Sequence, residues 1–144
     1  MADHWLQHSV SSAFLEAFRR CDPTAGAEAS RHFMAFPAVV CAAFSAEVGL
    51  KTLLEMHGIP ARGHDLRALF LKLPDAQKLA IFEATELSVE EFGTQLAHSR
   101  LAFSEWRYIY EERGEKHINV KFLGVFATAV ENVLTQDRAK KDIK

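Results

Sequence analysis

The chain has 144 residues, of which 49% are hydrophobic and 25% charged, and its formal net charge is -2. This size and balance are typical of one globular domain, so we expect residues 1–144 to form a single domain with one core. So small a net charge gives no overall attraction to phosphate backbones, and nucleic-acid binding would need a local patch.

Neither a structural metal site nor a membrane anchor is indicated. Cys21 and Cys41 are far apart in the sequence and belong to no C-x-x-C or Cys/His cluster, which predicts free thiols in a reducing cytoplasm and no cofactor or metal. The start of the chain lacks the basic and apolar regions of a signal peptide. The longest stretch without Asp, Glu, Lys or Arg lies between Arg31 and Glu47 and is shorter than the roughly 20 residues that span a bilayer, so we expect a core helix there.

Two helices are predicted in the first 60 residues. Apolar residues at helical spacing indicate a helix from about His4 to Arg20, which Asp22-Pro23 ends. A second, longer helix runs through Phe33 to Leu54 and contains Pro37. Gly58 and Pro60 then close it.

The second half of the chain contains further helical patterns. Asp65 and Asp75 are predicted to cap two short helices. Apolar residues at alternating three- and four-residue steps predict one continuous helix from Val89 to Tyr110, and Asn119 is predicted to cap a final helix. A basic tail from about residue 136 reads as a solvated helix end. No strand-like alternation is present, so we predict an all-α, antiparallel up-and-down bundle with four long helices and one or two short helices.

Glu47 interrupts the apolar face of the second helix. It lies three residues after Phe44 and three before Leu50, which places a carboxylate in the buried stripe. A charge buried there needs a partner from another helix. If the buried face is slightly rotated, Glu47 lies at its margin and pairs with Lys51. The sequence leaves both interpretations open.

Two other polar groups lie beside apolar patterns. Arg107 flanks the stripe that contains Trp106, and it could pair with Glu111 on its own helix or neutralise Glu47 across the bundle. His64 stands just before a helix start, where an imidazole and free backbone N–H groups could hold an anion, although Asp65 would compete as the cap.

Other patterns carry less information. His4 and His8 share a helical face but have no third ligand at matching spacing, and no phosphate loop, zinc-protease or serine-hydrolase motif is present.

The segments 44–54, 63–66 and 103–108 resemble HEPN-domain proteins, and the similarity extends from about Phe36 to Val133. HEPN domains are small helical bundles that are often dimers. Many are metal-independent RNases of toxin–antitoxin, antiviral or RNA-processing systems, whereas others bind nucleotides or partner proteins without catalysis. The resemblance therefore implies a cytoplasmic homodimer with an RNA or nucleotide ligand, and a partner protein in some systems.

The RNase branch of that family carries an arginine, four to six residues, and then a histidine. This chain lacks the spacing, because Arg113 and His117 enclose only Gly114, Glu115 and Lys116, and Arg107 is too far from His117. An RNase site in this chain would instead require Arg107 to lie close in space to His64 or His117.

Three functional hypotheses follow from these patterns. The first is a HEPN-like module that binds an RNA or nucleotide-like ligand through a polar cluster, with these residues: Glu47, Lys51, His64, Asp65, Arg107 and Tyr108. The second is a metal-independent RNase whose candidate catalytic residues are Arg107, His64 and His117. The third is a non-catalytic dimerisation or adaptor protein in which the cluster specifies the fold.

Overall fold

The computed structural model describes residues 3–21, 28–108 and 118–142, and only the backbone of residues 28–35. Its helices are α1 (His4–Cys21), α2 (Glu28–Met56), α3 (Leu66–Leu71), α4 (Asp75–Thr85), α5 (Val89–Ser99), α6 (Ala102–Trp106) and α7 (Val120–Asp142). Every regular element in these ranges is helical, and the predicted all-α bundle is confirmed.

The three long helices α1, α2 and α7 pack together, with α1 antiparallel to the other two. The contacts that establish these directions are Gln7 with Glu55, Ser11 with Ser45, His8 with Glu131, Phe18 with Gly124, Gly49 with Val130, and His57 with Asp137. Because α2 and α7 run in the same direction, the chain must return across the bundle between them. The shorter helices α3 to α6 lie in this returning part of the chain, where a fourth long helix was expected.

The continuous helix predicted from Val89 is wrong, because α5 ends at Ser99 and α6 begins at Ala102. The backbone N–H of Leu66 donates to the carbonyl oxygen of Arg100 at 2.8 Å, so α3 contacts the chain where α5 ends. Leu101 then has φ -107° and ψ 20°, outside the helical region. Tyr110 and Glu111 lie outside the described residues.

The helix ends show which predicted caps form. Asp65 accepts from the backbone N–H of Ala68 at 3.0 Å, and Asn119 accepts from that of Phe122 at 2.9 Å, as predicted. The cap predicted at Asp75 is wrong, because Asp75 is itself the first residue of α4, where its carboxylate pairs with Lys78. A carboxylate in this position still favours the helix through the backbone dipole.

The ends of α2 and α7 are joined. Gly58 has φ +71°, and the next N–H, of Ile59, donates to the carbonyl oxygen of Leu54 at 2.9 Å, which closes α2 as predicted. The basic tail continues α7 to Asp142, and the Lys141 Nζ donates to the carbonyl oxygen of Met56 at 2.7 Å. Lys141 thus satisfies a carbonyl at the end of α2.

The core is apolar and rich in phenylalanine. Phe126 of α7 is fully buried, and its ring lies within 6.2 Å, between centroids, of the rings of Phe70, Phe92 and Phe122. The segment Phe36–Met56 of α2 is long and apolar enough to cross a membrane, but 67% of its most apolar window is buried inside the bundle. Such burial is typical of the core helix of a globular domain.

Candidate functional site

Glu47 is a buried carboxylate near the middle of α2. Its side chain is only 3% exposed, and each of its oxygens has a partner. Oε1 lies 2.9 Å from the Nδ1 of His64, and Oε2 accepts from the Nζ of Lys51 at 3.2 Å. Burying an unpaired carboxylate costs several kcal/mol, and these two partners offset that cost at Glu47.

The two interpretations of Glu47 are both partly confirmed. The carboxylate is buried and has a partner from a distant part of the chain, and it also pairs with Lys51 one turn later. The possible neutralisation of Glu47 by Arg107 is wrong, because the ion-pair partners of Glu47 in the described structure are His64 and Lys51. His64 is available for this role because the closing turn of α2 returns the chain toward that helix.

His64 is held at one nitrogen and open on the other side. Its side chain is 48% exposed, although Nδ1 is directed at the buried carboxylate. A carboxylate can only accept a hydrogen bond from this ring, so Nδ1 carries the proton and Nε2 is the nitrogen left for a ligand. The contact therefore fixes both the orientation and the tautomer of the imidazole.

Asp65 binds protein groups on two sides. One oxygen caps α3, and the other accepts from the guanidinium of Arg100 at 3.1 Å. The N-terminus of α3 is thus occupied by the protein's own carboxylate, which counts against the anion site considered there.

Phe103 connects His64 with Arg107. The centroid of its ring lies 5.8 Å from that of His64, and the Cζ of Arg107 lies 4.9 Å above the same ring. Phe103 also stacks on Phe44, with 4.7 Å between the ring centroids. One aromatic side chain thereby contacts both the imidazole and the guanidinium, and both of these groups are exposed at the surface.

Arg107 and Tyr108 form the outer part of this surface. Both are exposed, and the Arg107 Cζ lies 4.6 Å from the centroid of the Tyr108 ring. Stacking of this kind holds a guanidinium in place while its N–H groups remain able to bind an anion.

The structure thus brings the predicted ligand-binding residues into one region, which we call the Glu47 cluster: Glu47, Lys51, His64, Asp65, Arg107 and Tyr108. His117, the remaining catalytic candidate, lies outside the described residues. Sequence reasoning missed the roles of Phe103 and Arg100. Phe103 was assigned to the core stripe, and nothing in helical spacing distinguishes a core phenylalanine from one that also contacts polar groups.

A second polar group lies between α1 and α7. Glu131 accepts from Ser12 at 2.6 Å and lies 2.9 Å from the Nε2 of His8, whose Nδ1 lies 2.8 Å from an Arg138 nitrogen. Because Glu131 only accepts and Arg138 only donates, the His8 ring donates from Nε2 and accepts at Nδ1. In the described ranges no three His, Cys, Asp or Glu residues are arranged to hold a metal ion.

The two cysteines, although distant in sequence, are neighbours across α1 and α2. Both are free thiols, and both are half-buried. Burial raises the pKa of the Cys41 thiol, and the nearby negative charge of a Cys21 thiolate raises it further. Cys41 therefore has little thiolate character near neutral pH, which fits an inert residue better than a nucleophile.

No protein-family model, curated protein or solved structure matches this chain.

Proposed function

We propose that the chain is a HEPN-like helical module that binds a nucleotide-like or RNA ligand at the Glu47 cluster. The observation that carries this proposal is the position of Arg107, whose guanidinium lies over Phe103 and over the exposed ring of Tyr108, beside the half-exposed His64. Cations next to an accessible aromatic face are the chemistry that recognises a phosphate joined to a base.

The charges at the cluster and at the adjacent Arg100 favour an anion. Within the cluster, Glu47 and Asp65 are balanced by Lys51 and Arg107, and Arg100, which pairs with Asp65, adds one further positive charge. A local positive excess of this kind supplies the attraction that the net charge of the whole chain does not.

Arg107→Ala should weaken binding of a fluorescein-labelled single-stranded RNA by about tenfold, as expected for losing one phosphate contact and one stacking partner. Fluorescence anisotropy at a fixed, low salt concentration measures the affinity. Because Arg107 is exposed, the thermal midpoint should hardly change.

The matched control is Arg19→Ala, which removes the same charge from an exposed position on α1, beside Glu16. Equal effects of the two substitutions would mean that RNA responds only to net charge, and the proposed site would be wrong. Nucleoside monophosphates titrated against the same variants separate a nucleotide ligand from a longer RNA.

A metal-independent endoribonuclease is the second candidate, and the contact between Glu47 and His64 specifically favours it. A carboxylate that orients an imidazole is a common arrangement in general acid–base catalysis. In such a reaction the Nε2 of His64 would take the proton of a ribose 2′-hydroxyl, whose oxygen attacks the phosphorus and displaces the 5′ oxygen.

Cleavage of labelled RNA in excess EDTA tests this candidate. We expect wild-type protein to leave 2′,3′-cyclic phosphate ends, and His64→Ala and Arg107→Ala to abolish them. RNA that binds but stays intact would exclude the enzyme and leave the binding module.

The proposal extends to a cytoplasmic homodimer that acts in a defence or toxin–antitoxin setting with a partner protein. A non-catalytic adaptor is the remaining alternative, and in that case Arg107→Ala would change the dimer or the thermal midpoint and no RNA binding would be seen. Sedimentation of wild type and variant separates these outcomes.

A further inference from the structure

Helices α4 and α5 form an apolar groove on the protein surface. Its lining is Phe70, Lys78, Leu79, Phe82, Val89 and Phe92, and it encloses about 310 Å³. Leu79 is 54% exposed and Val89 is 76% exposed. Large apolar side chains that are contiguous and this exposed are typical of a surface that binds a partner.

The two helices that form most of this groove, α4 and α5, are acidic, although the charged residue in its lining is Lys78. The segment from Asp75 to Ser99 has five carboxylates, all exposed, and one lysine, so it is more negative than the entire chain, whose net charge is -2. Lys78 pairs with Asp75, and no ion pair forms in the described structure at the other four: Glu83, Glu86, Glu90 and Glu91. Carboxylates left unpaired on the helices that form an apolar groove favour a cationic occupant.

Gly93 lies one turn after Val89 on the exposed surface of α5. Apart from the adjoining backbone of its own helix, no atom lies within 4 Å of the position that a Cβ would take, and its φ is not in the left-handed region. A glycine inside a helix costs about 1 kcal/mol relative to alanine, and neither backbone conformation nor close packing explains it here. What the missing side chain does permit is the close approach of another backbone.

From these three observations we infer that the groove between α4 and α5 binds an amphipathic helix of a partner protein that carries Lys or Arg beside its apolar side chains. A second copy of this chain is a poorer occupant. A two-fold dimer through this groove would bring the acidic helices of two copies together, and their carboxylates would repel one another. This inference does not depend on the Glu47 cluster.

Two synthetic 18-residue helical peptides test the inference. Both have Leu at three- and four-residue steps, and the flanking positions are Lys in one peptide and Glu in the other. We expect only the Lys peptide to bind measurably by isothermal titration calorimetry, and its affinity to fall as the salt concentration rises. Failure of the Lys peptide to bind, or equal binding of both, overturns the inference.

Three neutral substitutions map the site without changing its charge. Leu79→Gln and Val89→Gln should each weaken the Lys peptide about tenfold, because each removes an apolar side chain that the peptide would bury. Leu6→Gln is the matched control, since Leu6 is 53% exposed on α1 and does not line the groove. Equal effects at Leu6 and Val89 would indicate non-specific binding and contradict the proposed site.

Gly93→Gln separates binding from folding. Glutamine is a better helix former and has open space here, so the thermal midpoint should rise while the affinity for the Lys peptide falls. If the affinity of this variant for the Lys peptide were unchanged, the peptide backbone would not approach α5 closely at Gly93, and this part of the inference would be wrong. A wild-type dimer in sedimentation that Val89→Gln dissociates would mean that a second copy covers the groove, and the inference would be wrong.

Discussion

Replacing Lys51 with Met and His64 with Ala together should lower the free energy of unfolding by about 3 kcal/mol. These two side chains are the ion-pair partners of Glu47, and the carboxylate would remain buried without either of them. Most of the loss comes from the desolvated charge and little from the deleted groups, because Lys51 and especially His64 are partly exposed. Urea denaturation monitored by circular dichroism measures the change.

Adding Glu47→Gln to that double variant should restore about half or more of the lost stability, since an amide is far less costly to bury than a charge. Methionine keeps most of the length of the lysine stem, so packing around α2 changes little. A triple variant no more stable than the double variant would show that the loss came from packing. The buried charge would then not be the reason that His64 is held where it is.

Gly49→Ala should destabilise the fold by about 2 kcal/mol, even though alanine is the better helix former. An ideal Cβ on Gly49 would lie 2.7 Å from the Cγ1 of Val130 and 3.1 Å from the Oγ of Ser11. Val130 is fully buried and branched at Cβ, so it cannot rotate away easily. The Ser11 hydroxyl donates to the carbonyl oxygen of Ser45, which ties it to the same place.

Gly93→Ala is the matched control and should have the opposite sign. It makes the same chemical change inside a helix, but with open space around the new methyl group, and should stabilise the fold by up to about 1 kcal/mol. The two unfolding free energies measured side by side separate helix propensity from packing. If both variants were stabilised, the close approach of α1, α2 and α7 at Gly49 would be wrong.

These stability predictions bear on the proposed function. Glu47 holds His64 through Nδ1, and both the proposed ligand binding and the RNase alternative depend on the other side of this ring facing solvent. Arg107, in contrast, is exposed, so replacing it should change the free energy of unfolding much less. Loss of RNA binding in Arg107→Ala with an unchanged fold is therefore the more informative functional result.

The helices that could be predicted are those whose signals are local. The apolar spacing of α1, α2 and α7 and the caps at Asp65 and Asn119 depend on residues within a few positions of one another, and these features are confirmed. The same periodicity placed Glu47 either in the buried stripe or at its margin, and the structure shows it buried. Helical spacing is a property of a short segment, so it can be read without knowing the neighbouring helices.

Contacts between distant segments decided the rest. The partner of Glu47 lies 17 residues away in a loop, and Arg100 contacts Asp65 across 35 residues, where α5 ends although its apolar pattern continues into α6. The meeting of His64 and Arg107 on Phe103 likewise depends on how α2 and α6 pack. A periodic pattern indicates which face of a helix is buried, but it does not indicate which other segment covers that face. The packing of distant segments therefore determines the partner of each polar side chain, and only the tertiary structure shows it.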